Sequence, residues 1–292
     1  MRRLVLVHGI NNQGRSEQET IDTWLDALAH AVTPADLAMI RKAEIVAPYY
    51  GDVLAEETNR KSQAGAQPVA QGLAETSTTA PDEAEFYAQA LEDFAPAAGV
   101  TEADIRAAAG VAGPVEQGLP HDRRLLALLR ALETISPLKG AVVLRLLPQA
   151  FVYLNRATAT KAVDDIVKPT LADENAVVVA HSLGTVVTFK LLREAAAPQV
   201  PFYLTLGSPL AVRAVQNAVG PAFERPGCAD SWLNALDPDD AVTIGRALNA
   251  ANFGDGVENL DDIENGSDDP HDIRMYLRDT RVADAIVRAM SA

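Results

Sequence analysis

The stretch VVVAHSLGTVV, residues 177–187, decides how the rest of the chain is read. Three β-branched residues, Val177, Val178 and Val179, follow the polar segment ADEN, which is the pattern of a short strand buried on both faces inside a parallel sheet. From Leu183 onward, apolar residues recur at Val186, Val187, Leu191, Leu192 and Ala195, a period near 3.6 that predicts a helix. Passing from strand to helix within about two residues forces a sharp turn, whose apex residue is strained and presents its side chain at the sheet edge. Ser182 occupies that apex. Strand and helix backbones crowd at such a turn, so the flanking positions must be small, and Ala180 and Gly184 are. The pattern A-x-S-x-G is therefore that of a nucleophile elbow, with alanine in place of the first glycine.

Length and charge bound what surrounds this turn. The 292 residues suffice for two small domains or for one large α/β domain with an insertion. With 25 basic against 40 acidic residues the formal charge is -15, which disfavours nucleic acid and anionic membrane surfaces as partners. A single cysteine, Cys228, leaves no internal disulfide and fits a reducing compartment. The start MRRLVLVHGI offers only four apolar residues, Leu4 to Val7, before His8-Gly9, so it reads as a buried strand and is too short for the core of a signal peptide. The apolar segment LKGAVVLRLLPQAFVYL is broken by Lys139, Arg145, Pro148 and Gln149 and falls short of the roughly 20 apolar residues of a membrane span. The expected location is cytoplasmic, with no integral membrane segment.

Strand and helix patterns alternate at both ends of the chain. RLVLVHG and AEIVAPYY read as strands flanking a helix, EQETIDTWLDALAHAV, with Ile21, Trp24, Leu25, Leu28 and Val32 on one face. After the 177–187 turn, PFYLTLGSP and DSWLNALDP read as strands and TRVADAIVRAM as a closing helix. Such alternation predicts an α/β fold, a mostly parallel sheet with helices on both faces, built from residues 1–50 and 166–292. Residues 51–165 interrupt it as a helical cap or insertion. Within it, residues 62–82 are small and polar and predict a flexible loop. Helical patterns follow in DEAEFYAQALEDF, in TEADIRAAAG with its T-x-x-D capping spacing, and in DRRLLALLRALETI, where Leu125, Leu128, Leu129 and Leu132 share a face. Those leucines would roof an apolar pocket or pack the insertion's own core.

In open α/β sheets, sites form at the carboxyl ends of strands, and the partners Ser182 needs are sought there. A serine nucleophile requires backbone N–H groups aimed at the oxyanion: Leu183, directly after the serine, supplies one and Ile10, after His8-Gly9, the other. Gly9 permits close approach, and Asn11, Asn12 and Gln13 would hold the loop through side-chain hydrogen bonds. Of five histidines, His181 lies inside the elbow and points away from the serine, His30 is on the first helix, His121 opens a helix of the insertion, and His8 belongs to the first strand's exit. His271, in the polar loop GSDDPHDIRMYL, remains as the base. An acid should lie between Ser182 and His271 in the chain, and WLNALDPDDAV supplies Asp237, Asp239 and Asp240, among which spacing alone does not choose. The acidic stretch DGVENLDDIENGSDD lacks the D-x-[DN]-x-[DN]-G spacing of a calcium loop and reads as solvated surface.

Taken together, VHGINNQG, VAHSLG, TLGSPL, WLNALDPDDAV and HDIRMYL resemble, in order, the oxyanion loop, nucleophile elbow, following strand, acid segment and histidine segment of bacterial α/β-hydrolases of the lipase and esterase type. The resemblance spans residues 1–50 and 177–290 and is poor over 51–165. It implies Asp240, in the D-x-V arrangement, as the acid, with Ser182 the nucleophile and His271 the base. It also implies a serine hydrolase acting on carboxylic esters, lipid esters included, with small-molecule substrates and no metal or organic cofactor. Amide or peptide cleavage by the same residues, or a non-catalytic relative that binds a ligand, are the competing expectations.

Overall fold

The computed structural model describes residues 2–63, 81–110, 121–172, 175–194, 197–221, 223–266 and 268–292. Its framework is a six-stranded sheet, all parallel, in the order β2-β1-β3-β4-β5-β6. The strands are β1 (Arg3–Val7), β2 (Ile45–Val46), β3 (Ala176–His181), β4 (Phe202–Leu206), β5 (Trp232–Ala235) and β6 (Glu258–Leu260). The alternating pattern of the sequence thus yields an α/β fold.

The pleat divides the apolar residues of each strand between two layers. Val5 and Val7 of β1, with Val178 and Ala180 of β3, face one core, while Leu4, Leu6, Val177 and Val179 face the other. Both faces of the central strands are buried, as an uninterrupted valine run requires. Helices α1 (Glu17–Leu28), α11 (Ile273–Arg278) and α12 (Thr280–Ser291) cover the second face, with α2 (Pro34–Ile40) alongside. Ser16 caps α1 by accepting from the Glu19 N–H at 3.2 Å, and Asp279 caps α12 by accepting from Arg281 and Val282.

Two elements differ from expectation. The strand expected over AEIVAPYY is only Ile45–Val46, because Ala47 gives its N–H to the Glu17 carboxylate at 3.0 Å and Pro48 has none to give. Tyr49 and Tyr50 turn instead toward the loop after β1. Part of the acidic stretch expected to be solvated surface is the edge strand β6, anchored by Asn234, whose amide donates to Asn259 Oδ1 at 3.0 Å.

Between Tyr50 and Asn175 the described chain is helical: α3 (Gly51–Gln63), α4 (Pro81–Ala97), α5 (Glu102–Ala108), α6 (His121–Ile135), α7 (Pro137–Asn155) and α8 (Ala157–Val167). The T-x-x-D spacing forms a reciprocal capping box between Thr101 and Asp104 at the start of α5. The flexible loop expected at 62–82 falls at 64–80 outside the described residues, while its two ends lie in α3 and α4. Leu125, Leu128, Leu129 and Leu132 are buried in one apolar cluster with Phe86, Leu91, Phe151 and the sheet residues Val5 and Val178. The insertion and the sheet therefore share a continuous core, to which α10 (Arg213–Val219) adds Ala214 and Val215. Among the described residues, no helix is long and apolar enough to cross a membrane.

Candidate functional site

Chain order reverses at β1: β2 lies on one side of it, and the chain then crosses to β3 on the other. The crevice outside the carboxyl ends of β1 and β3 is where such sheets take ligands. Ser182 stands there, directly after β3, with φ 53° and ψ -129°, a backbone conformation that L residues rarely adopt. The strain is held at both the N–H and the carbonyl of the residue. The Ser182 N–H donates to Leu206 O at 3.0 Å, the Thr185 hydroxyl donates to Ser182 O at 2.7 Å, and Thr185 in turn meets Ser208 Oγ at 2.7 Å.

Glycines permit the crowding around this turn. A Cβ on Gly184 would fall 2.4 Å from the carbonyl oxygens of both Val7 and His8, and one on Gly9 would fall 2.5 Å from Ser182 Cβ. Neither neighbour can yield, since backbone and strand fix them. Ala180 is fully buried in the first core, so the alanine that replaces a glycine in the elbow pattern is accommodated there.

His271 precedes α11 and reaches back over the sheet edge. Its Nε2 lies 2.9 Å from Ser182 Oγ and its Nδ1 lies 2.8 Å from Asp240 Oδ2. Asp240 has no exposed side-chain surface and the His271 side chain is 11% exposed, so the link is shielded from water. Besides His271, the Asp240 carboxylate accepts from the Tyr276 hydroxyl at 2.8 Å and from the Val242 N–H at 2.9 Å. Burial, and then the charge of Asp240, push the Tyr276 hydroxyl well above its ordinary range, which keeps it a donor. With φ +56°, Gly207 leaves room for this approach, because a Cβ there would sit 2.9 Å from Asp240 Oδ2 and 3.1 Å from His271 Nδ1.

Of the three aspartates, the structure brings Asp240 to His271. Asp237 accepts instead from the N–H groups of Asp239 at 2.7 Å and Asn265 at 2.6 Å, tying two loops together. Asp239 is exposed and pairs with Lys139 of α7 at 3.3 Å.

The loop after β1 is built from backbone carbonyls held by side chains. The buried His8 ring sits 4.1 Å from that of Tyr50, with its Nδ1–H donating to Gly9 O at 2.8 Å and its Nε2 accepting from the Tyr50 N–H. Burial lowers the His8 pKa to about 4, so the ring is neutral and offers one donor and one acceptor. The Tyr50 hydroxyl donates to His8 O. Asn12 Nδ2 donates to Gly9 O at 3.1 Å and to Ile10 O at 2.9 Å. Because a trans peptide sets its N–H opposite its C=O, pinning the Gly9 carbonyl also fixes the direction of the Ile10 N–H. Leu183 is the first residue of α9 (Leu183–Leu192), where an N–H has no partner within the helix. Among the described residues, neither of these N–H groups donates to an acceptor of the chain. Of the other loop residues, Asn11 adopts φ 57° and accepts from Gln149 of α7 at 3.3 Å.

A hollow of about 240 Å³ lies against His271 and Asp240, with the start of α7 as its opposite wall. Leu138, Ala141, Val142, Ala241 and Pro270 give the apolar part of its lining, and Ser136, Lys139, Arg145, Asp239, Asp268 and Asp269 the polar part. Leu125 and Leu128 line a different hollow, beside Arg124 and Arg213, which touches none of the residues around Ser182.

Sequence reasoning missed Tyr276, Tyr50 and Thr185, and gave His181 its direction, away from the serine, without its partner. Thr185 alone had a local signal, as the polar residue in the first turn of an otherwise apolar helix. Comparisons with family models, with curated proteins and with solved structures returned no match.

Proposed function

We propose that the chain is a serine hydrolase of the α/β-hydrolase kind that cleaves carboxylic esters through an acyl-enzyme. The observation that carries this reading is the unbroken line Ser182 Oγ, His271 Nε2, His271 Nδ1, Asp240 Oδ2, with steps of 2.9 and 2.8 Å, on a serine held at positive φ. In this reading Ser182 Oγ attacks the acyl carbonyl while His271 Nε2 takes its proton. Asp240 fixes the tautomer that leaves Nε2 unprotonated and stabilises the imidazolium that forms. The N–H groups of Ile10 and Leu183 hold the oxyanion. Collapse of the tetrahedral intermediate expels the alkoxide, which takes the proton from His271. Water, deprotonated by the same imidazole, attacks the acyl carbonyl, and collapse frees the acid as the Ser182 oxygen leaves with the proton from His271. The apolar lining beside His271 supports an ester with an apolar group, lipid esters among them.

The test is covalent labelling by a fluorophosphonate probe together with turnover of p-nitrophenyl esters of graded chain length. Labelling at Ser182 and hydrolysis are both expected. Ser182→Ala should lose labelling and about a million-fold in turnover while remaining folded. Ester turnover by Ser182→Ala within about tenfold of the parent would overturn the assignment.

A further inference from the structure

His181 takes no part in the proton path, yet it touches the base of that path. Alternation along β3 sends the odd-numbered Val177 and Val179 to the second core, and His181 follows them, away from Ser182. On that face it meets the loop before α11. Its Nε2 lies 2.9 Å from the backbone carbonyl of His271, and the two rings stand 4.6 Å apart at 33°. Tyr276, the donor to Asp240, lies against the same ring with centroids 6.2 Å apart.

Resting on the hydrolase reading above, we infer that His181 is a positioning residue, which fixes the His271 main chain so that its imidazole stays in register with Ser182. The reason is covalent adjacency. Ser182 meets the side chain of His271, and its immediate neighbour holds the main chain of the same residue. The last residue of β3 and the one directly after it thus grip His271 at two points, and the strand's hydrogen bonds to β1 and β4 make the grip rigid. The rest of the loop is held at its flanks, where Asn265 Nδ2 donates to Pro270 O at 2.6 Å and the Asp272 N–H to Asp269 O at 3.1 Å, while the His271 N–H makes a 3.3 Å contact with Asp269; the His181 contact is the one made to the His271 carbonyl itself. A displacement of about 1 Å at a reacting atom costs on the order of a hundred-fold in rate. The contact requires a proton on His181 Nε2, which the neutral ring carries as its Nε2–H tautomer, and burial, followed by the nearby His271, holds this imidazole well below its ordinary range. Its neutrality also places no second charge beside the imidazolium that His271 becomes. The titratable groups facing it are His271, Tyr276 and His8.

Three substitutions separate the roles. His181→Gln carries an amide N–H about as far as Nε2, His181→Asn carries the same group one carbon short, and His181→Phe keeps the bulk and removes the donor. Fluorophosphonate titration counts competent serines, so turnover is expressed per labelled site and loss of folded protein does not enter. His181→Phe and His181→Asn should lower kcat by about ten- to a hundred-fold with KM nearly unchanged, and His181→Gln should recover most of it. Turnover of His181→Phe within about threefold of the parent, or equal losses in all three variants, would overturn the inference. If His181→Phe does not fold, the difference between Gln and Asn decides. Failure of the parent protein to label at Ser182 would instead remove the hydrolase reading, a result distinct from any ranking among the variants.

Discussion

At the scale of single residues, the separation of Asp240 from Asp237 is a matter of what each carboxylate accepts. Asp240 faces one imidazole, one phenol and one backbone N–H, whereas Asp237 faces two backbone N–H groups and no side chain that can carry a proton to the serine. In the hydrolase reading, Asp240→Asn keeps the shape but donates where it must accept, so His271 takes the wrong tautomer. The expected loss in turnover is about ten thousand-fold with the fold retained. Asp237→Asn leaves the Ser182 line intact and weakens two hydrogen bonds to a charged acceptor, at a cost of about 1–3 kcal/mol in stability, with most activity kept. Ester turnover and urea unfolding on the two variants distinguish them, and an inactive Asp237→Asn beside an active Asp240→Asn would exchange their roles. The sequence alone left DPDD undecided, because Asp237, Asp239 and Asp240 are equally placed to leave a strand end. The deciding partners are remote: Tyr276 lies 36 residues and His271 31 residues from Asp240. A phenol's hydrogen bond to a distant carboxylate leaves no trace in local spacing. The same holds for His181, whose face follows from strand alternation but whose partner, 90 residues away, does not.

At the scale of elements, patterns of period 2 and 3.6 located strands and helices well where the apolar run was long, as in β3 and α6. They overran where a side chain captured a strand's N–H, as Glu17 does at Ala47, and missed β6, whose acidic composition hides a three-residue edge strand. The insertion carries the largest consequence. Its leucine face was open to two readings, a roof over a pocket or the insertion's own core, and the observed packing is the second carried further: α4, α6 and α7 pack on one another and continue the core of the sheet through Phe86, Leu128, Leu132 and Phe151. Truncating Leu132, which is fully buried, should therefore weaken the whole molecule. We expect Leu132→Ala to cost about 2–5 kcal/mol, the range for a buried leucine whose cavity does not collapse. Calorimetry and the elbow environment, followed by probe labelling through the melt, should report one coincident transition. A variant that loses the insertion's helicity at one temperature and Ser182 labelling at a clearly higher one would show two independent cores.

At the scale of the whole molecule, acid stability joins the site to the fold. His8 is 1% exposed and sits beneath the loop that carries Ile10, and its pKa of about 4 lies below the ordinary value of 6.5. Between those two values the unfolded chain binds a proton that the folded chain does not. Stability is thus fully present above about pH 6.5 and drains away as the pH falls toward about 4. At 1.36 kcal/mol per unit, His8 alone removes about 2 kcal/mol between pH 7 and pH 5. His181, also depressed by burial, acts in the same direction. Two effects oppose it. Asp237, whose pKa burial raises, binds its proton sooner when folded, and the formal charge of -15 becomes less repulsive as carboxylates protonate. Ordinary carboxylates titrate near pH 4, so the relief of repulsion comes chiefly below pH 5 and the window from 7 to 5 belongs to the histidines. The slope of the parent protein mixes these contributions, and the difference between it and His8→Gln isolates one of them. Urea unfolding at pH 7 and pH 5 should show the variant less stable than the parent at pH 7, because the amide fills the His8 contacts imperfectly, yet losing about 2 kcal/mol less on acidification. Equal losses in both proteins would mean that His8 takes up its proton without unfolding, and the loop that aims the Ile10 N–H would then have to tolerate a charged ring beneath it.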